Sequence, residues 1–269
     1  MNLLRTLTLT AVALALPAAT LVPAQAAAPS ERAHRSYVVK TTASTDAVVQ
    51  GRRVVLSGTV RKARRGEHVR VQVRYDGGRW KTSDLSDRVD RRGRFRISDK
   101  ITSTRSRSYR VVKPAGRGFR AGRSKAVHVD VYSWRPLPTL APVNATATYP
   151  VDAVKINGRA YPESLAGSAS DAQGGTSYNL ERRCRQLTTR VGLADTSEDS
   201  VLGTASLKAD GVQKYAGSFA LTQSSPVTLD VSKVFRLTFD WTSRSTLSGA
   251  EDQTGAVVAL GSPELLCRD

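Results

Sequence analysis

Apolar and polar residues alternate with a period of two along most of this chain. The alternation is clearest in residues 53–60, 69–75, 187–193 and 235–241. A period of two places successive side chains on opposite faces of a β-strand, whereas a helix needs apolar residues three and four positions apart. Because no segment shows the helical period, the sequence predicts an all-β protein.

Residues 37–132 contain about seven short strands separated by turn sequences, which is typical of an antiparallel β-sandwich. The turns contain Arg65-Gly66, Asp76-Gly77-Gly78, Arg91-Arg92-Gly93 and Pro114-Ala115-Gly116. The region 36–132 resembles the bacterial Ig-like modules of secreted actinobacterial proteins. The likeness is carried by residues 56–60, 66–75, 78–80, 92–95 and 109–111. It implies an Ig-like sandwich and says nothing about activity.

The second half of the chain also alternates strands and turns. About eight or nine strands without helices favour a jelly roll. The segment 235–241 is predicted to present its apolar side chains to one core face: Phe235, Leu237, Phe239 and Trp241.

An ordered series of motifs in residues 134–269 resembles the NPCBM family, a carbohydrate-binding module first noticed beside glycoside hydrolases. The motifs are Ile156–Leu165, Tyr178–Leu180, Val191–Asp195, Asp210-Gly211, Val227–Val231, Leu237 and Gly261–Leu265. The resemblance implies a galactose-binding-like β-sandwich that binds sugar. The chain differs from the family in having no His in residues 167–175, Ala194 at an acidic position and Ala259-Leu260 where a Trp is common. An alternative is therefore a structural or interaction protein of the cell envelope whose sandwich no longer binds sugar.

The region between the two halves is rich in proline. Residues 134–150 contain Pro136, Pro138, Pro142 and Pro150, and proline favours extended backbone in the residue before it. The segment is either a stiff linker or, over residues 137–143, the first strand of the second domain. The sequence thus predicts domains at 36–132 and 134–269.

Residues 1–28 have the arrangement of a secretory signal peptide. Arg5 precedes an apolar stretch over residues 7–16, and small residues follow at 24–28. No other apolar stretch of about 20 residues follows, so membrane insertion is not expected. The sequence predicts a secreted, extracellular protein that can associate with the cell wall.

Cys184 and Cys267 are the two cysteines of the chain. In an oxidising compartment such a pair favours a disulfide. Residues 141–269 contain no His, which argues against a His-containing metal site or a nucleophile paired with His in this half. No cofactor is predicted.

Positive charge is concentrated in one half of the chain. Residues 31–140 contain 28 basic and 9 acidic residues, whereas residues 141–269 contain 12 and 14. Such a basic domain attracts polyanions, and the outward Arg91, Arg92, Arg94 and Arg96 are its candidate contacts. An exported protein meets anionic wall polymers, acidic glycans and extracellular DNA, and no specific nucleic-acid recognition is expected. The alternative is an Arg-rich spacer that only improves solubility.

A sugar site needs an aromatic ring for the C–H face of the sugar and polar groups for its hydroxyls. The candidates for carbohydrate binding are Tyr161, Tyr178 and Asp195, although both tyrosines also fit the core and Asp195 also fits a turn. A Ca²⁺ site formed by Asp195, Glu198 and Asp199 is a second alternative. Since no catalytic pair stands out, the sequence predicts a noncatalytic carbohydrate-binding protein.

Overall fold

The computed structural model describes residues 35–246 and 255–269, which form nineteen β-strands and a short 3-10 helix, Leu137–Thr139. The strands are β1 (Val38–Ala43), β2 (Ala47–Val49), β3 (Arg53–Arg61), β4 (His68–Tyr75), β5 (Lys81–Arg88), β6 (Arg94–Lys100), β7 (Arg107–Lys113), β8 (Gly122–Arg123), β9 (Val127–Pro136), β10 (Asn144–Thr146), β11 (Thr148–Ile156), β12 (Arg159–Gly167), β13 (Gln173–Asn179), β14 (Cys184–Leu193), β15 (Val201–Ala209), β16 (Val212–Phe219), β17 (Ser224–Asp230), β18 (Arg236–Ser245) and β19 (Val258–Cys267). Within these ranges, no helix is long and apolar enough to cross a membrane. The predicted signal peptide, residues 1–28, lies outside the described residues. The all-β prediction is confirmed.

Strands β1 to β9 form the first sandwich. One of its sheets has the order β1-β3-β6. In the other, β4 lies between β5 and β7. The second edge of β7 pairs with β9 at residues 107–109 and with β8 at residues 112–113. The core between them is built from the alternate positions that the sequence predicted, including Val54 and Leu56 of β3 and Val69, Val71 and Val73 of β4.

Strands β10 to β19 form the second sandwich, which has two five-stranded sheets. One has the order β10-β13-β18-β15-β16. The other has the order β11-β12-β19-β14-β17. Consecutive strands often lie in opposite sheets, as in a jelly roll, so this part of the fold prediction is also confirmed. Leucine, valine and aromatic side chains from both inner faces fill the space between the sheets.

Strand β18 follows its predicted phase except at one end. Leu237, Phe239 and Trp241 are buried in the core, whereas Phe235 is 41% exposed. The prediction for Phe235 is wrong because the strand begins only at Arg236, and the backbone N–H of Phe235 is bonded to the carboxylate of Asp210 instead.

The predicted disulfide is present between Cys184 at the start of β14 and Cys267 at the end of β19. The two cysteines are direct register partners in these antiparallel strands, with their Cα atoms 3.9 Å apart. The bridge therefore joins neighbouring strands of one sheet and closes a loop of 83 residues.

The junction between the sandwiches is a strand rather than a linker. Strand β9 is continuous across the predicted boundary at residue 133. It pairs with β7 at residues 127–129 and with β19 at residues 133–136. The predicted first strand over residues 137–143 is wrong: Leu137–Thr139 form the 3-10 helix, and Leu137 is fully buried in the second core. Arg268 adds a contact across the junction by donating to both carboxylate oxygens of Asp130.

Candidate functional site

Tyr161 is half-buried on β12 and lies over Gly261 of β19. A Cβ atom at Gly261 would come within 2.8 Å of the Tyr161 ring, so the glycine makes room for the aromatic side chain. The guanidinium of Arg159 lies 5.4 Å from the ring centroid. With Thr188 and Thr228, these residues line a shallow depression of about 300 Å³. Tyr161 thus lies beside groups that can donate to and accept from a ligand.

Asp195 is exposed and serves as a turn residue. Its carboxylate accepts a hydrogen bond from the backbone N–H of Gly158 at 2.9 Å, and its own N–H donates to the carbonyl of Lys155. It therefore holds the β11–β12 turn, and the second strand of this hairpin carries Tyr161. The two candidates therefore lie at the same hairpin: Tyr161 belongs to its second strand, and Asp195, in the loop after β14, is bonded to its turn.

Tyr178 belongs to the core. Its side chain is 3% exposed, and burial raises the pKa of its hydroxyl. A ring that is enclosed on β13 offers no face to a sugar, so the sequence hypothesis for Tyr178 is wrong. The physical reason is that Tyr178 shares the inward phase of β13 with Thr176, which is also buried.

The acidic residues Asp195, Glu198 and Asp199 do not form a metal-binding cluster. Within residues 35–246 and 255–269, no three acidic, histidine or cysteine side chains come together in a group that could hold an ion. The carboxylate of Glu198 instead lies against Gly255, with its Cδ atom 2.5 Å from where a Cβ atom of that glycine would be.

The outer face of the β10-β13-β18-β15-β16 sheet carries a polar groove that the sequence analysis missed. It consists of two adjoining depressions of about 460 and 430 Å³, which share Asp240, Trp241 and Thr242. The lining side chains that point outward are mostly hydroxyls and amides, with one acid and one lysine: Asn144, Thr146, Gln173, Thr204, Ser206, Lys208, Gln213, Ser218, Thr238, Asp240 and Thr242. The signal was present in the sequence, because Thr238, Asp240 and Thr242 occupy the phase opposite to the core residues of β18.

Asp240 lies at the centre of this groove. It lies on β18, where its register partners are Gly175 on the neighbouring β13 and Ser206 on the neighbouring β15. Its carboxylate forms an ion pair with Lys208 at 2.8 Å, and both side chains remain about two-fifths exposed. A Cβ atom at Gly175 would lie 2.7 Å from Oδ1 of Asp240, so the glycine leaves the carboxylate room. The ion pair can therefore exchange hydrogen bonds with a molecule in the groove.

The four arginines singled out from the sequence lie at and beside the start of β6. Arg91 and Arg92 are in the turn before the strand, and Arg94 and Arg96 project from its outer face; all four are exposed. Asp90 organises the turn by accepting the backbone N–H groups of Arg92 and Arg94, and these bonds, chiefly that of Arg94, lower its pKa. None of the four guanidiniums forms an ion pair within the described ranges.

No family model matches the chain, and no curated protein sequence matches it. Solved structures that are similar to it include carbohydrate-binding modules. One is a Clostridium perfringens ZmpB structure that contains the M60 catalytic domain with CBM51-1 and CBM51-2, at 12% identity and a TM-score of 0.41. The alignment covers 87% of this chain and 31% of that one. This chain therefore spans about a third of the length of that protein.

Two further structures each match about half of the chain. The CBM51 of Clostridium perfringens GH95, in complex with methyl-galactose, is 14% identical with a TM-score of 0.40, covering 49% of this chain and 99% of that one. A CBM36 in complex with calcium and xylotriose is 10% identical with a TM-score of 0.29, covering 49% and 98%.

Proposed function

We propose that this chain is a secreted, noncatalytic protein whose second sandwich binds carbohydrate and whose basic first sandwich contacts anionic wall or extracellular polymer. One observation carries the first part: a groove crosses all five strands of the β10-β13-β18-β15-β16 sheet and is lined by hydroxyl, amide and charged side chains around Asp240.

The chemistry of the groove suits a chain of sugar hydroxyls. A carboxylate accepts hydrogen bonds from hydroxyl groups, and an ammonium, an amide or another hydroxyl donates to them. Hydrogen bonds to charged groups contribute more than neutral ones, which makes the pair of Asp240 and Lys208 the centre of the proposed site. The shallow depression around Tyr161 is the second candidate, since it combines an aromatic ring with Arg159.

The sequence supports the proposed module types and the proposed location of the protein. The ordered motifs of residues 156–265 favour an NPCBM-like module, and those of residues 56–111 favour an Ig-like module before it. The pattern of residues 1–28 favours export to the cell exterior and association with the cell wall. The arginines at the start of β6 are exposed and form no ion pair with any residue that the structure describes, which favours contact with a polyanion.

The test is a glycan array with the mature full-length chain, followed by calorimetric titration of a sugar that binds. We expect Asp240→Asn to weaken binding by about ten- to a hundredfold, because the amide replaces a charged acceptor. Asp152→Asn is the matched control: it removes the same charge from an exposed position on β11 and should leave the affinity unchanged.

The remaining outcomes separate the alternatives. If Tyr161→Ala abolishes binding while Asp240→Asn does not, the depression on β12 is the site and the groove is not. An array without a positive sugar would contradict carbohydrate binding and favour the structural or interaction protein.

A further inference from the structure

Four arginines share the outer face of the second sheet of the first sandwich. Arg70 and Arg74 project from β4, and Arg110 on β7 is the register partner of Gln72 between them. Arg123 lies one strand further on, where β8 pairs with β7. Neighbouring strands are about 4.8 Å apart and same-face residues about 6.7 Å apart, so the four side chains form one basic face. We refer to these four residues as the β4–β8 arginines.

An aromatic ring holds two of these arginines in place. The guanidinium carbon of Arg74 lies 4.9 Å from the ring centroid of Trp80, and that of Arg110 lies 4.3 Å from the same centroid. Nε of Arg110 also donates to Oε1 of Gln72 at 2.8 Å. Cation–π contacts and this hydrogen bond fix the direction of the planar guanidiniums. The other N–H groups of Arg110 have no hydrogen-bond partner among the described residues, so they can bind a ligand.

The β4–β8 arginines have no anionic partner in the part of the chain that the structure describes. None of them is within 4.0 Å of a carboxylate oxygen of residues 35–246 or 255–269. Asp76 follows β4 and lines a depression with Arg74, and Asp84 is exposed on β5, but neither forms an ion pair with them. Partial burial lowers the pKa of Arg110, and the nearby charges of Arg123 and Arg74 lower it further. Crowding like charges in this way is unfavourable until an anion arrives.

We propose that the face formed by the β4–β8 arginines and Trp80 is a binding site for the sulfate or phosphate groups of an acidic polysaccharide. Planar guanidiniums recognise such oxyanions through paired N–H groups. This inference rests on the proposed polyanion contact of the first sandwich and assigns it to a face other than that of Arg94 and Arg96.

The aromatic contacts favour a polysaccharide over single-stranded nucleic acid. Binding of single strands relies on aromatic rings that are free for base stacking. The ring of Trp80 is already in contact with two guanidiniums, so it acts as a support for the arginines rather than as a platform for bases.

The experiment compares two double variants of the mature full-length chain that lose the same charge. Arg74→Gln/Arg110→Gln alters the proposed site, and Arg94→Gln/Arg96→Gln alters exposed arginines on β6. Heparin is the sulfate-bearing probe, inorganic polyphosphate the phosphate-bearing probe, dextran the neutral control and oligo-dT the nucleic acid. Affinities are measured at about 50 and 200 mM salt, since binding through phosphate or sulfate weakens with salt.

We expect the site variant to lose at least about tenfold more affinity for heparin and polyphosphate than the β6 variant, because oriented N–H donors are lost in addition to charge. Trp80→Leu keeps every charge and should also weaken binding, as should Arg110→Lys, which lacks the planar fork. These two single variants serve as the test if the double variant does not fold, which its thermal midpoint would show.

Three results would overturn the inference. Equal losses in the two double variants would show that the whole field of the domain, rather than this face, attracts the polymer. Tighter binding of oligo-dT than of heparin would assign the face to nucleic acid. Failure of the unmodified chain to bind any anionic probe would refute the polyanion contact itself, and the site with it.

Discussion

The exposed carboxylate of Asp210 stabilises the start of β18, a strand whose inner face lies in the core. It lies in the β15–β16 turn and accepts the backbone N–H of Phe235 at 3.0 Å and that of Arg236 at 2.7 Å. Both donors stabilise the charged form, the bond from Arg236 most of all, and they lower the pKa of Asp210 below its ordinary value of 3.8.

This hydrogen bonding makes a pH-dependent prediction. Because the pKa in the folded state is depressed, the carboxylate contributes its full stabilisation above pH 3.8 and loses it as the pH falls through the folded-state pKa. Asp210→Asn should therefore lower the thermal midpoint at pH 7, and the difference from the unmodified chain should shrink as the pH falls below 3.8. Midpoints measured across that range give the answer, with Asp152→Asn as the control. A difference that stays constant into acid would contradict the assigned role of the charge.

At the scale of the element, β18 depends on glycines in neighbouring strands. Trp241 is 2% exposed and donates its indole N–H to the hydroxyl of Thr148 at 2.8 Å. Cβ atoms at Gly167 of β12 and Gly174 of β13 would approach the indole ring within 2.6 and 2.7 Å. The two glycines thus form the walls of the space that the indole occupies.

Gly174→Ala should destabilise the protein by about 1–3 kcal/mol, the usual cost of overpacking a core. The added methyl group would meet both the Trp241 ring and the carbonyl oxygen of Thr146, at 2.6 Å from the latter. Urea denaturation measures the effect. Gly116→Ala is the control, since its nearest neighbour would be the Tyr37 hydroxyl at 3.9 Å; a similar loss there would point to glycine flexibility rather than to crowding.

Periodicity predicted which side chains of each strand share a face, but not what each face meets. The buried residues of β14 and β18 followed from alternation alone. Tyr178 could not be assigned in the same way, because an alternating pattern does not say which phase of a short strand such as β13 points inward. The groove was missed for a related reason. Asp240 and Ser206 are adjacent only because β15 pairs with β18. The alternation within one strand does not predict which distant strand it pairs with.

For the whole molecule, the main consequence of the fold is that β9 belongs to both sandwiches. It pairs with β7 in the first and with β19 in the second. Asp130 of β9 is also bonded to Arg268, which directly follows β19. Melting either sandwich would remove the strand pairing from one half of β9, so the two cores should lose their order together.

We therefore expect a single peak in scanning calorimetry, and the same single peak at lower temperature after reduction of the disulfide. Opening a loop of 83 residues should cost about 4.5 kcal/mol in the chain-entropy model. Cys184→Ser/Cys267→Ser should behave like the reduced protein. If only part of the heat absorption moved, and two peaks resulted, the sandwiches would unfold independently.

The position of β19 in its sheet also affects the time course of folding. This strand follows every other described strand in the chain, yet it lies between β14 on one side and β12 and β9 on the other. Its partners precede it by up to 134 residues, as in the pairing of Ser133 with Cys267. Contacts between such distant segments form slowly. Until β19 has paired, β14 and β12 each have an unpaired edge, and Cys267 is not yet held beside Cys184. Completion of the second sandwich is therefore a late event, and the interval before it is when the chain is most prone to pair with other copies of itself.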